Sequence, residues 1–339
     1  MQLNCNRHSA TKVGDDIVMR GICRLTFHCF CKRYYIVNLD EEINDACLKC
    51  TNKHSRKSNE YGLCSVAVSL LDSLPVRCVG SWAKDKIYFL TRYFEIFAGG
   101  MKNKFDLNYI EICSGPGRCI CREEKKEIDG TALAIIKNTG FNYIQKAVFI
   151  DYSEEVVGTL NKRIDSLGKS KKAKAFIGDY RDPKTLKEAF SNLSSNSLNL
   201  VFIDPTDCSI PFSTIEYISK RFSKVDFIIN IATYTDIGRN LKNVLIRGYN
   251  DDKYKSFIGK NYQNMSNKID FSKITTSEAR RLFKDAYLEN LKELGFKFTK
   301  FEKIEHYYDL LFASKNKCGV AFWDKISKIM PNNQRTLNI

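Results

Sequence analysis

The sequence predicts an α/β fold: a mostly parallel sheet with helices between its strands, closed by an antiparallel C-terminal hairpin and preceded by a small cysteine-rich head. Three observations carry this. Five short apolar runs alternate with helix-like segments between residues 109 and 231, the pattern of parallel strands joined by helical crossovers. Two further strand-like runs near the C-terminus are separated by too few residues for a crossover, so they pair antiparallel. Seven of the 13 cysteines (Cys5, Cys23, Cys29, Cys31, Cys47, Cys50 and Cys64) fall in the first 64 positions.

The elements follow in order. Residues 1–75 form the head. Arg24–Phe30 and Arg33–Asn38 are rich in Phe, Tyr, Ile and Val and read as short strands. The polar, basic Thr51–Asn59 is a loop, Ser65–Leu74 a short apolar helix, and Pro75 the boundary. Residues 76–339 form the larger domain. Ile87, Leu90, Phe94 and Phe97 recur at spacings of three and four, which predicts a helix from Trp82 to Phe97, with Ser81 as N-cap and Gly99-Gly100 as terminator. Strands are expected at Tyr109–Cys113, Ala147–Ile150, Ala173–Ile177, Leu198–Ile203 and Val225–Ile231. Helices are expected at Ser153–Leu167, Pro183–Leu193 and Pro211–Phe222. A polar, Lys/Asn-rich insertion with helical character occupies about 241–294, and Phe296–Ile304 with Tyr307–Ser314 make the hairpin.

Composition bounds the function. Of 339 residues, 43% are hydrophobic, enough for a substantial core. The formal net charge is +15, from 54 Lys and Arg against 39 Asp and Glu. Such a surface suits a polyanion, most simply nucleic acid. No run of eighteen apolar residues reads as a membrane span, and residues 1–20 lack the apolar stretch of a signal peptide. The expected location is the cytoplasm, where cysteines serve as thiols or metal ligands rather than disulfides. Lys162-Arg163 and Lys169–Lys174 read as a solvated basic face.

The first strand leads into a glycine-rich turn, YIEICSGPGR, residues 109–118. Gly115 and Gly117 allow a tight turn and close ligand approach. S-adenosylmethionine (SAM) needs that approach, plus an acid for its amino group, and Glu111 is the candidate. Cys113, Ser114, Pro116 and Arg118 complete the turn. Asp151 ends the second strand, where an acid takes ribose hydroxyls, with Tyr152 beside it. Asp179 ends the third, within reach of an adenine amino group, followed by Tyr180. Asp204 ends the fourth. Four acids on successive strands point at one crevice. Glu111 and Asp151 are 40 positions apart, against ~20 in a simple βαβ unit, so Ile120–Gly130 is expected to be an inserted loop.

The stretch from about Trp82 to Ile326 resembles the three-Cys-motif partner proteins, a family of predicted SAM-dependent methyltransferases. The matching pieces are Trp82 with Lys86, Gly115–Arg118, Asp129–Ala134, Phe202–Pro205, Thr235–Asn240 with Asp236, Arg239 and Asn240, and Tyr307–Lys315. The resemblance implies a Rossmann-like methyltransferase fold, SAM as cofactor, and a separate three-Cys-motif protein as partner. It leaves the cysteine-rich head outside.

Asp204-Pro205-Thr206-Asp207 stands where many amino-methyltransferases carry Asp/Asn-Pro-Pro-aromatic. There the acid and the first proline carbonyl accept hydrogen bonds from a target amine and aim its lone pair at the methyl group, while the aromatic stacks a base. Here the acceptor pair survives and the aromatic does not. Phe212 and Tyr234 are candidate replacements, and Arg239 a candidate for a phosphate or carboxylate. Lys253, Lys255, Lys260 and Lys268 interleaved with Tyr254, Phe257 and Tyr262 suit a nucleic-acid strand, or a solvated insertion anchored by its aromatics. The expected reaction is therefore methylation of a nucleic-acid amine. A protein or small-molecule methyltransferase and a non-catalytic nucleic-acid adaptor are the alternatives.

In the head, Cys29-Phe-Cys31 and Cys47-Leu-Lys-Cys50 are paired-thiol knuckles separated by fifteen residues. Four thiolates from two knuckles suit tetrahedral zinc. Cys5, His8, Cys23, His28 and Cys64 are further ligand candidates. Such a module either grips nucleic acid or braces a head too small to build its own core.

Overall fold

The computed structural model describes residues 11–13, 16–18, 43–50, 59, 62–247, 251–267, 270 and 273–328. The chain forms two compact units, Met1–Glu41 and Glu42–Ile339. Residues 42–75, expected in the head, thus belong with the body. In the first unit, β1 (Thr11–Val13) and β2 (Asp16–Val18) pair antiparallel. The strands expected at 24–30 and 33–38 lie outside the described residues.

The second unit begins with α1 (Asp45–Leu48), capped by the Asn44 side chain. Next come β3 (Arg77–Val79), α2 (Trp82–Met101), β4 (Leu107–Ile112), β5 (Arg118–Cys121), β6 (Lys126–Asp129) and α3 (Thr131–Lys137). Then β7 (Ile144–Asp151), α4 (Glu154–Ser166), β8 (Ala173–Ile177), α5 (Pro183–Ala189), β9 (Leu198–Ile203), α6 (Phe212–Arg221) and β10 (Lys224–Ile231) alternate as the apolar runs require. A π-helical stretch, Thr233–Leu241, opens the insertion, which continues through α7 (Lys242–Arg247), α8 (Asp251–Ile258), α9 (Asn261–Ser266) and α10 (Thr276–Glu293). The hairpin β11 (Phe298–Ile304) and β12 (Tyr308–Ser314) and then α11 (Lys317–Ser327) follow.

Seven strands form one sheet in the order β11-β12-β10-β9-β4-β7-β8. Only β12 runs antiparallel to both its neighbours; the five strands from β10 to the edge strand β8 are parallel. From β4 the chain moves outward through β7 and β8, then returns to the other side of β4 for β9 and β10. The reversal falls between β4 and β9, and open α/β sheets bind ligands outside the carboxyl ends at such a point. Helices cover both faces. Ile110, Ile112, Val201, Ile203 and Ile229 face one core, and Leu107, Tyr109, Phe149, Phe202 and Phe312 the other. Strands buried on both faces need unbroken apolar runs, which is why the sequence exposes them so plainly.

Four local expectations are corrected. Helix α2 continues through Gly99-Gly100 to Met101 because it packs along α11, with Gly100 against Phe322; packing overrides the glycine penalty. Ser81 makes no capping bond and instead donates its hydroxyl to Glu305. Ser65–Leu74 is not a helix: Val68 pairs with Pro75, and Ser73 takes φ +58° to close a turn. Ile120–Gly130 is no plain loop, since β5 and β6 pair as a hairpin and join β3 in a second, three-stranded sheet. The insertion's aromatics are core: Tyr254, Phe257 and Tyr262 are buried, which favours the anchoring reading over strand binding.

Arg163, expected on a basic face, is also buried. It donates to both oxygens of Asp72 at 2.8 and 2.9 Å, to the Pro75 carbonyl at 2.9 Å and to the Pro116 carbonyl at 2.7 Å. Burial would raise the Asp72 carboxyl, but the Arg163 hydrogen bonds outweigh it and hold it at about 2. Replacing Arg163 with Met leaves these acceptors without their donor. The expected loss is about 3 kcal/mol of stability in urea denaturation. Asp72's depressed carboxyl contributes stability above its unfolded value near 3.8. That contribution fades as pH falls toward 2, and Arg163→Met should lack this acid-side slope.

Candidate active site

The crevice at the sheet reversal is built on the turn after β4. Cys113, Gly115 and Gly117 take φ of +64°, +66° and +93°. A Cβ at Gly117 would stand 3.0 Å from Leu133 and from Leu160, so only glycine fits both the dihedral and the space. The backbone N–H groups of Cys113 and Ser114 bond to the Ile150 carbonyl, locking the turn to β7. Cys113 to Gly117 all line the crevice, with Arg77 of β3 beside them. Ser114 Oγ and Arg77 Nε are buried there with no hydrogen-bond partner among the described residues. Buried polar groups are normally satisfied, so both mark a place for a polar ligand.

The strand-end acids behave differently from one another. Glu111 is fully buried, and Thr131 Oγ1 and Tyr109 OH both donate to its carboxylate. Burial outweighs these bonds and pushes its carboxyl up to about 8. It therefore ties α3 to β4 as a neutral group and does not line the crevice, against its expected role as a counter-charge. Asp151 accepts from Gly115 N at 3.0 Å and from Ser153 N, supporting the turn from behind. Asp179 is held by Arg181 in a bidentate pair at the surface, and the Arg181 hydrogen bond lowers its carboxyl. Tyr180 is buried and Tyr152 is 56% exposed. Arg118 turns away from the crevice toward Asp72, Glu127 and Asp129, with N···O distances of 3.3, 3.3 and 3.4 Å; β6 supplies Glu127 and Asp129, and the turn before β3 supplies Asp72.

Asp204, after β9, stands across the crevice from the glycine-rich turn. Lys86 Nζ of α2 lies 2.6 Å from both its oxygens, and Lys86 is only 6% exposed. The Asn230 side-chain amide donates to Asp204 Oδ1 at 2.9 Å and to the Pro205 carbonyl at 3.1 Å. That pair was expected to receive a substrate amine; here it holds an NH2 group of the chain itself. The Lys86 ammonium also sits 4.8 Å from the Trp82 ring and 5.9 Å from that of Tyr308. Thr206 is exposed. Asp207 pairs with Lys253, which also bonds Asp236, fastening the insertion to this loop.

Phe212 is not a stacking residue. It is buried against Tyr287, because α6 turns that face to the core. Tyr234 is partly exposed, with the Arg280 guanidinium 4.9 Å and the Lys303 ammonium 5.1 Å from its ring. Its backbone N–H bonds to Tyr307 O, at the edge of the Trp82–Tyr308 wall. Arg239 is exposed and does not line the crevice. Two residues that sequence reasoning passed over complete the site. Asn230 is a fully polar residue in the otherwise apolar end of β10, a signal open to reading. Arg77 lies between Val76 and Cys78 with nothing to single it out.

Of the expected zinc ligands, Cys29 and Cys31 lie outside the described residues. Cys47 and Cys50 sit on and just after α1. Among the described residues no group of three or more His, Cys, Asp or Glu could hold a metal ion. No helix among them is long and apolar enough to cross a membrane.

No family model and no curated protein matches the chain. Solved structures do resemble it. Cofactor-bound Rv0187 from MTB is 12% identical with a TM-score of 0.39, covering 74% of this chain and 83% of that one. The O-methyltransferase TomG from Streptomyces achromogenes, in complex with SAM, is 10% identical with a TM-score of 0.39, over 70% and 80%. The O-methyltransferase from Bacillus cereus, in complex with SAH, is 10% identical with a TM-score of 0.38, over 66% and 79%. The strand order described above, rather than these distant likenesses, carries the fold.

Proposed function

We propose that this chain is a SAM-dependent methyltransferase acting on a nucleic acid. The observation that carries the reading is the meeting, at the sheet reversal, of a left-handed glycine-rich turn with the Asp204–Lys86–Asn230 cluster. The residues present fit SAM: Gly115 and Gly117 leave room for close approach, and Ser114 Oγ and the Arg77 guanidinium offer unmet polarity to its amino-acid end. When bound, SAM supplies an electrophilic methyl group on a sulfonium. On the opposite wall, Asp204 and the Pro205 carbonyl orient the acceptor, with Trp82 and Tyr308 excluding water from the crevice. An entering amine takes the place that the Asn230 amide now holds, presents its lone pair, and sheds its proton after transfer. No strong base is required for a neutral amine.

A nucleic acid is favoured by the +15 charge and by Tyr234, whose ring is flanked by Arg280 and Lys303 at the crevice edge; cation-flanked aromatics suit stacked bases beside phosphates. A protein or small-molecule acceptor is the second reading. It is favoured by the engagement of Asp204 with Lys86 and by Asp207, which forms an ion pair where a stacking aromatic would stand. The resemblance to the three-Cys-motif partner family extends the proposal to a separate partner protein.

The test is transfer of radiolabelled methyl from SAM to separated DNA, RNA and protein fractions, with the double variant Lys86→Met/Asp204→Asn as control. Label in DNA or RNA, lost in the control, is the expected result. Label in protein alone moves the assignment to the second reading. No label in any fraction, with SAM binding absent in calorimetry, rejects the methyltransferase reading.

A further inference from the structure

The basic run Lys169–Lys174, expected to be a solvated face, has a definite place in the fold. Strands β4, β7 and β8 are parallel, so all three begin at one end of the sheet, and the crevice lies at the other, where they finish. Lys102 closes α2 shortly before β4, Lys146 stands near the start of β7, and Lys169 to Lys172 lead directly into β8. The stretches 102–106, 142–146 and 165–174 carry seven lysines against two acids, Asp106 and Asp165. Strand β4 is six residues long, which at about 3.3 Å per residue puts this end roughly 20 Å from the crevice.

Short contacts join these lysines into one patch. Lys146 Nζ donates to the Lys171 carbonyl at 3.0 Å, and Lys172 Nζ to the Asn142 carbonyl at 2.9 Å. Beside Asn142, the Tyr143 hydroxyl accepts from Lys102 Nζ at 3.0 Å. The Lys102 ammonium also stands 4.1 Å from the Tyr143 ring, and Tyr143 is 42% exposed. The Lys169 ammonium lies 6.0 Å from the Phe141 ring, and its carbonyl accepts the backbone N–H of Lys172. Lys102, Lys146 and Lys171 are exposed, and Lys169 and Lys172 half-buried.

The partners of these lysines set the patch apart. The ammonium groups of Lys102, Lys146 and Lys172 meet one hydroxyl and two carbonyls. Among the described residues, none of the five lies within ion-pair reach of a carboxylate. Asp165 accepts the Ser170 hydroxyl instead. Lysines elsewhere are neutralised: Lys84 by Glu124, Lys137 by Asp129, Lys273 by Asp270, Lys284 by Asp309 and Lys300 by Asp324. Solubility is served by interspersed signs. Like charges left together repel one another and focus a positive field at one place.

We propose that Lys102, Lys146, Lys169, Lys171 and Lys172, with Tyr143 among them, form a surface that holds the phosphate backbone of a nucleic acid at the end of the sheet remote from the crevice. Each ammonium that meets a phosphate releases condensed counterions, which drives binding without reading sequence. The exposed Tyr143 ring, already beside a cation, offers a face on which a base stacks. An acidic protein segment fits less well. It has no bases, and it presents at most one side chain per ~3.3 Å, against one charge per ~1.7 Å of duplex axis. The surface works without SAM, so it does not depend on the methyltransferase reading.

The experiment is fluorescence anisotropy of the full-length protein with labelled oligonucleotides, without SAM, between about 50 and 200 mM salt. Single-stranded RNA, single-stranded DNA and duplex DNA are separate arms, and the tightest arm identifies the nucleic acid. The wild type should bind with a steep inverse dependence on salt. Lys146→Gln/Lys171→Gln/Lys172→Gln should weaken binding at least about tenfold at the lower salt and flatten the log–log salt slope by about two to three. Lys137→Gln/Lys273→Gln/Lys300→Gln removes the same charge from ion-paired positions and should bind like the wild type. Tyr143→Leu should weaken single-strand binding by about tenfold with the salt slope unchanged, an effect that loss of charge does not mimic. Thermal melts establish that each variant is folded. Equal weakening in the two triple variants reduces the effect to net charge and overturns the proposal. So does the absence of saturable binding in every arm, or binding to vesicles of anionic lipid with none to nucleic acid.

Discussion

Asp204→Ala is expected to unfold at a clearly lower urea concentration than the wild type, and adding Lys86→Met is expected to restore most of the difference. Lys86 is almost wholly buried, and its ammonium rests on both Asp204 oxygens. Removing the carboxylate leaves a cation with no counter-charge in a wall made of Trp82 and Tyr308. Breaking such a pair from one side costs about 3–5 kcal/mol, whereas replacing both partners with apolar or neutral groups of similar size is close to neutral. The Asn230 amide loses its Oδ1 acceptor at the same time. The single variant therefore confounds folding with chemistry, and loss of activity in it would say little. In the folded double variant Lys86→Met/Asp204→Asn, methyl transfer should fall by about a hundredfold or more, the scale of losing one positioned polar group at a reacting centre. A single variant as stable as the wild type would show that the pair is screened by water and that Lys86 is free to serve an entering substrate.

Glu111→Gln should remove a pH dependence of stability. The Glu111 carboxyl is held at about 8 by burial, against an ordinary value of 4.5. The folded state keeps its proton in a range where the unfolded chain releases it. From pH 4.5 to 8 the unfolded state binds fewer protons, so stability falls as pH rises, by up to about 1.4 kcal/mol per pH unit. Above 8 both states are ionised and the slope ends. Glutamine keeps the shape and offers hydrogen bonds to Thr131 and Tyr109 without ionising. Thermal melts between pH 5 and 8 should show the variant gaining on the wild type by on the order of 2 °C per pH unit. Parallel melting curves would mean that Glu111 stays ionised in the folded protein.

The sheet was readable because its strands are buried on both faces. Leu198–Ile203 and Ala173–Ile177 appear in the structure with the expected bounds. The hairpin β11–β12 was readable from the short link between its runs. What escaped was set by contacts between distant segments. Ser65–Leu74 looks helical by composition, but the Ser73 turn and the grip of Arg163 on Asp72 and Pro75 shape it instead. Glu111 and Arg118 sit in the right turn, yet Thr131 and the acids of β5–β6 claim them. The turn itself and Asp204 were visible, as a glycine pair and a strand-end acid. The partners that decide their chemistry, Lys86, Asn230 and Arg77, come from a helix and two strands far away in sequence. Lys86 carried a hint through the family resemblance and Asn230 through its polarity in an apolar strand end, while Arg77 carried none.

The turn from Cys113 to Gly117 places three of its five residues at positive φ, one of them a cysteine. A side chain in that region raises the energy of the backbone by about 1–3 kcal/mol, and the glycines give up the widest conformational freedom of any residue. Folding has already absorbed both costs, through the hydrogen bonds to Ile150 and Asp151. A ligand arriving at this wall meets a surface preorganised to its final shape, so little of its binding free energy goes into ordering the protein. Affinity at this turn should therefore track the ligand's own fit, with a fast association step and no slow rearrangement of the wall.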